Sequence, residues 1–81
     1  MQITVRINGT LAQKIGLPRL AITLSEPATI QDLLNHLQEK YPQATAEISA
    51  AIAVNNGTHQ SPQDTLENGQ TVALLMPIAG G

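Results

Sequence analysis

The residues that could do chemistry in this 81-residue chain are few, and most of them lack partners at a useful spacing. Its last two residues, Gly80 and Gly81, follow Pro77, Ile78 and Ala79 and come directly after an apolar run. Glycine has the greatest backbone freedom and no side chain to bury, so a terminal pair of them adds nothing to a core. What it offers is thinness. Five extended residues, 77–81, span at most about 17 Å, enough to carry a terminal carboxylate into a narrow channel on another protein.

Other candidates carry less. His36 and His59 have no cysteine and no spaced third ligand, so a helix-flank or turn histidine is the simpler reading. Asp64 and Glu67 flank a loop and could act as paired carboxylates, yet no adjacent pocket is implied and solvation accounts for them. Ser61 before Pro62 is turn chemistry. Asn8-Gly9-Thr10 and Asn56-Gly57-Thr58 match the glycosylation triplet, but with no N-terminal signal pattern they read as turns, and neither carries the lysine of a phosphate loop.

Composition narrows the function further. A chain this short makes one domain. At 42% hydrophobic and 12% charged it can offset its ordering entropy, and with Tyr41 the only aromatic residue its core must be aliphatic. A net charge of −2, with only Arg6, Lys14, Arg19 and Lys40 as cations, supplies no basic patch or stacking platform for nucleic acid. The absence of cysteine excludes disulfides, thiolate catalysis and iron–sulfur ligation. With no cysteine and no spaced histidine partner, no metal or cofactor bound by this chain is expected; with no signal pattern and no long apolar span, no membrane partner is expected and a cytoplasmic location is the default.

The elements that would position the tail follow from periodicity. Ile3, Val5 and Ile7 alternate with polar residues, and Leu20, Ile22 and Leu24 alternate with the smaller Ala21, Thr23 and Ser25, which predicts two antiparallel strands joined by a loop through Leu11, Lys14 and Gly16. Thr29 with Asp32 three residues on is a capping box, and Ile30, Leu33, Leu34, Leu37 and Tyr41 form one stripe of a helix that Pro42 stops. Gln43 to Ala51 is either a short second helix or an ordered loop. Ile52 to Asn55, the turn Asn56-Gly57, a short return through Thr58 to Gln60, a loop at 61–64, the turn Asn68-Gly69 and a strand from Thr71 to Met76 complete the chain.

One helix with a single apolar stripe and several half-buried strands must form two layers. The expected fold is therefore α+β, a β-grasp or ubiquitin-like arrangement: a mixed sheet of four to five strands packed on one main helix, with the first and last strands side by side in the middle. Residues 1–76 would be the domain and 77–81 a flexible tail. If Val72, Leu74 and Met76 point inward, Ala73 and Leu75 point outward, and an apolar face beside such a tail is a candidate docking patch. In the other phase Leu75 is core.

The stretch "AVNNGTHQSPQDTLENGQTVALLMPIAGG", together with the helix "TIQDLLNHLQEKYP" and the N-terminal strands, resembles the small, sulfur-carrying subunit of molybdopterin synthase over nearly the whole chain. The resemblance implies a protein that is not catalytic alone. A ubiquitin-activating-type adenylyltransferase would use ATP to convert the Gly81 carboxylate into an acyl adenylate, and a sulfur donor protein would turn it into a thiocarboxylate. Inside the large synthase subunit that sulfur would pass to a pterin precursor in molybdenum cofactor biosynthesis. On this resemblance Gly81 carries the acyl group, Gly80 gives clearance, Pro77, Ile78 and Ala79 line the threaded tail, and Leu75, with Met76 and Ile7 near it, contacts the partner. Thiamin-pathway sulfur carriers share the fold and ending but are typically shorter between helix and third strand, so Gln43–Ala51 and Pro-x-x-Gly-Gly favour the pterin reading. A ubiquitin-like modifier conjugated through Gly81 is a further alternative, since the same adenylate serves both fates, and a plain interaction module with an inert tail is another.

Overall fold

A computed structural model describes residues 1–77. Strand β1 (Gln2–Ile7) buries Ile3, Val5 and Ile7 on one face, as the alternation requires, and pairs antiparallel with β2 (Arg19–Thr23), from Gln2 opposite Thr23 to Arg6 opposite Arg19. On its other side β1 runs parallel to β5 (Thr71–Leu75), with Val5 beside Val72 and Ile7 beside Leu74. A parallel pair cannot be closed by a hairpin, so the chain between them supplies the crossover. It contains α2 (Ile30–Lys40) and the hairpin of β3 (Ile52–Asn55) and β4 (Thr58–His59). The strand order is β2-β1-β5-β3-β4, a mixed five-stranded sheet in which the first and last strands of the chain, β1 and β5, are adjacent in the middle.

Helix α2 starts where the capping box places it. The Asp32 backbone N–H donates to Thr29 Oγ1 at 3.2 Å, and the Thr29 N–H donates to Asp32 Oδ2 at 2.9 Å. Two orphan donors of the first turn are thereby satisfied. Ile30, Leu33 and Leu37 point from α2 into the core and are at most 1% exposed, while Leu34 and Tyr41 at the stripe's margin are half-buried. The Asn56-Gly57 turn has φ of 51° and 77° at its two central residues, the left-handed pair that a type I′ hairpin needs.

Two helices join the main one. The predicted loop after β1 contains α1 (Gly9–Ile15), which buries Leu11, and the ambiguous 43–51 segment is a 3-10 turn (Pro42–Ala44) followed by α3 (Thr45–Ala50), burying Ala44 and Ile48. Lys14 Nζ of α1 lies 2.9 Å from Glu47 Oε2 of α3 and ties these two short helices together. Neither has a side-chain N-cap hydrogen bond, and although Gly16 closes α1 with a left-handed C-cap, helices this short depend on tertiary packing. No buried polar or charged residue occurs in the described core, and no helix in the described residues is long and apolar enough to cross a membrane.

Candidate functional site

The site is the end of β5 and the face of the sheet turned away from the helices. Val72 and Leu74 are fully buried, so the period-2 pleat sends Ala73 and Leu75 to the opposite face; Leu75 is 39% exposed. The first of the two phases open in the sequence is therefore the one adopted. Leu75 pairs with Ile52, and Ala73 with Val54, in the antiparallel β3–β5 ladder. Because paired residues project to the same face, Ile52 and Val54 extend the apolar surface of Ala73 and Leu75. Both are half-buried, whereas Ala53 between them is in the core.

On the other side of β5, Arg6 stands beside Ala73. Arg6, Ile7, Asn8, Ala73 and Leu75 line a shallow groove of about 220 Å³ at the point where β1 and β5 both end. Ile7 was expected in the outward patch, and here the structure corrects the sequence reading. Its side chain is 6% exposed because it shares the inner face of β1 with Ile3 and Val5, and the exposed residue at this end of β1 is Arg6.

Past Leu75 the chain leaves the sheet. Met76 is half-buried and packs against the core, close enough that a Cβ built on Gly9 would meet its Cγ at 3.8 Å. Gly9 itself sits at φ +59°, so this contact uses a backbone conformation that side chains disfavour. Met76 thus anchors the strand's exit, and Pro77 after it is exposed. Ile78, Ala79, Gly80 and Gly81, to which the sequence reading gave the tail chemistry, lie outside the described residues.

The other sequence candidates stay apart. His36 is half-buried on α2 and His59 is exposed on β4. Asp64 Oδ2 accepts the Ser61 N–H at 2.9 Å, a turn contact, and the Glu67 N–H donates to Gln70 Oε1 at 2.9 Å. Among the described residues no group of three or more histidines and carboxylates could hold a metal. A hollow of about 510 Å³ lies among Asn55, Asn56, Gln60, Thr65, Glu67 and Asn68, and its single ionisable group is Glu67. Asn68 there is already committed, its Oδ1 accepting the Gln2 N–H at 2.8 Å.

Residues 5–81 match the ThiS family. The chain belongs to that family. No curated protein matches its sequence. Among solved structures it is similar to SAMP1 from Haloferax volcanii, at 19% identity and a TM-score of 0.88 over 100% of both chains. It is similar also to a putative molybdopterin converting factor subunit 1 from Pyrococcus furiosus, at 20% identity and a TM-score of 0.86 over 96% of this chain and 99% of that one. A third likeness is to the complex of subunits 1 and 2 of the molybdopterin-converting factor from Helicobacter pylori, at 17% identity and a TM-score of 0.70 over 100% of both chains. At these identities the likeness is one of fold, and it is the β-grasp fold. Family and fold agree: the chain is a ThiS-family protein with the β-grasp, ubiquitin-like fold.

Proposed function

We propose that this protein is a sulfur carrier whose reactive group is the Gly81 carboxylate, acting as the small subunit of a molybdopterin synthase. A carboxylate is a poor acyl donor. Attack of its oxygen on the α-phosphorus of ATP, with pyrophosphate leaving, gives an acyl adenylate; hydrosulfide released by the sulfur donor then attacks the carbonyl, AMP leaves, and loss of the proton gives a thiocarboxylate. ATP, the sulfur donor and the pterin precursor are handled by partners, and this chain supplies the carbonyl and the means of presenting it. Leu75, Ala73, Ile52 and Val54 contact the partner, Pro77, Ile78 and Ala79 line the threaded tail, and Gly80 keeps the approach narrow.

The observation that carries this reading is the position of the exposed Leu75, two residues before Pro77, on an apolar strip that no helix covers. A docking surface immediately before the tail fixes where the tail enters. The large subunit as partner is supported by the likeness to the Helicobacter pylori complex of subunits 1 and 2. The test is reconstitution: the chain carrying a thiocarboxylate at Gly81, mixed with a large synthase subunit and pterin precursor, should yield the dithiolene product, and the unmodified chain should not. Sulfur delivery only to thiazole-forming enzymes would assign it to the thiamin pathway instead.

A second reading is favoured by the likeness to SAMP1, a small archaeal modifier protein. As a modifier the chain would pass the same adenylated Gly81 to a lysine amine. Gly81-to-lysine isopeptides in digests of cell-derived protein would establish that fate.

A further inference from the structure

The chain is acidic, yet its sheet is not. All six acidic side chains, Glu26, Asp32, Glu39, Glu47, Asp64 and Glu67, lie outside the five strands, whereas two of the four lysine and arginine side chains, Arg6 and Arg19, lie on them. These two are directly opposite each other in the β1–β2 ladder, and both are exposed. The Ile7 N–H donates to the Pro18 carbonyl at 3.0 Å, so Arg6–Arg19 is the adjacent, non-hydrogen-bonded kind of pair, in which side chains approach most closely. Their Cβ atoms are then about 5 Å apart.

Like charges directly opposite one another on a sheet are destabilising. Nothing in the described residues relieves the repulsion: the one ion pair there is Lys14 with Glu47, and Lys40 lies 5.8 Å from the centre of the Tyr41 ring. The two exposed large apolar side chains of the described chain, Leu17 and Leu75, stand at the same end of the sheet, where β2 begins and where β1 and β5 finish. A doubled cation thus sits between apolar residues, with the groove of Arg6, Asn8, Ala73 and Leu75 beside it.

We infer that Arg6 and Arg19 form a two-arginine clamp for the carboxylates of an acidic, leucine-bearing segment on a partner protein, which seats its apolar side chain against Ala73 and Leu75. Guanidinium groups hold carboxylates through paired, planar hydrogen bonds, and a carboxylate between the two would turn their repulsion into attraction. The apolar rim and the absence of any aromatic side chain on this face favour a protein over nucleic acid. The inference deepens the carrier reading by naming the chemistry of the partner's surface. It is independent of what happens at Gly81, because a docking measurement needs no adenylate.

The test is a titration of the isotope-labelled full chain, followed by NMR, with a blocked peptide Leu-Asp-Asp-Leu and its isosteric control Leu-Asn-Asn-Leu. The expected result is amide and guanidinium shifts centred on Arg6, Arg19, Ala73 and Leu75 with the acidic peptide, weakened about threefold to fivefold in Arg6→Gln or Arg19→Gln and by added salt. Each variant should melt at the same or a higher temperature than the parent, since each removes a repulsion. Equal binding of the two peptides, shifts centred elsewhere or absent, a lowered melting temperature in both variants, or stronger shifts from a short oligothymidylate at equal concentration would each overturn the inference. If the clamp fails while Gly81 still acquires sulfur, the carrier reading stands without it; if Gly81 never does, the clamp can still stand.

Discussion

Leu75 lies directly across the β3–β5 ladder from Ile52, on the face of the sheet opposite the helices, while its neighbour Leu74 is fully buried. One peptide bond separates a core residue from an exposed apolar residue that we propose docks the partner. Substitutions at the two positions should therefore separate stability from binding. Leu75→Glu should leave the urea midpoint nearly unchanged, because surface changes usually stay within about 0.5 kcal/mol, yet weaken association with a large synthase subunit about tenfold or more, ~1.4 kcal/mol. Leu74→Ala should do the reverse and cost about 2–5 kcal/mol of stability. Calorimetric titration and urea melts on the two variants check this, and undiminished binding by Leu75→Glu would remove the docking face.

The capping box makes a second prediction. Thr29→Ala removes the acceptor for the Asp32 N–H and should lower stability by about 0.5–2 kcal/mol. Because α2 supplies Ile30, Leu33 and Leu37 to the core, the loss should appear in the global unfolding transition rather than as local fraying. Asp32→Asn in the same background should add little, since the box acts as a unit.

Acid should loosen the contact between α1 and α3. The hydrogen bond from Lys14, helped by a backbone hydrogen bond, holds the Glu47 carboxyl below its ordinary value, against a smaller opposing effect of burial. A depressed folded-state value means that the pair's contribution is complete above the ordinary carboxylate value and disappears as pH falls through the lowered one. The stability of Lys14→Met should therefore fall less steeply than that of the parent across that acid window. Urea melts at a series of pH values, parent against variant, measure the difference, and parallel curves would show that the pair does not contribute.

How much of this was legible beforehand depended on how local the signal was. The central strands were readable because Ile3, Val5 and Ile7, and then Val72 and Leu74, alternate with residues of the other face, and α2 was readable because Thr29 and Asp32 mark its start. The Asn56-Gly57 turn announced itself by residue type. Helix α1 did not: seven residues with one fully buried side chain, Leu11, are too short for a 3.6-residue period to show against a loop. The outward apolar face was half legible. Leu75 followed from the phase of β5, but Ile52 and Val54 face outward around a buried Ala53, the reverse of what side-chain size implies, and only strand register reveals it. Placing Ile7 in the outward patch relied on its nearness to the end of β1, when its own alternation with Val5 already assigned it inward. The Arg6–Arg19 pairing, thirteen residues apart in sequence (19 − 6), exists only once β2 is laid against β1.

The central claim, that the carboxyl group of Gly81 is itself the reagent, is tested most directly by the intact mass of the protein isolated from cells that are making its cofactor. The account predicts a population heavier than the sequence mass by the exchange of one oxygen for sulfur, with fragmentation placing the exchange at Gly81, and its disappearance when Gly81 is deleted although the domain still folds. A cell-derived protein carrying only the ordinary carboxylate under those conditions, or a Gly81-deleted chain that still supports cofactor synthesis, would contradict it.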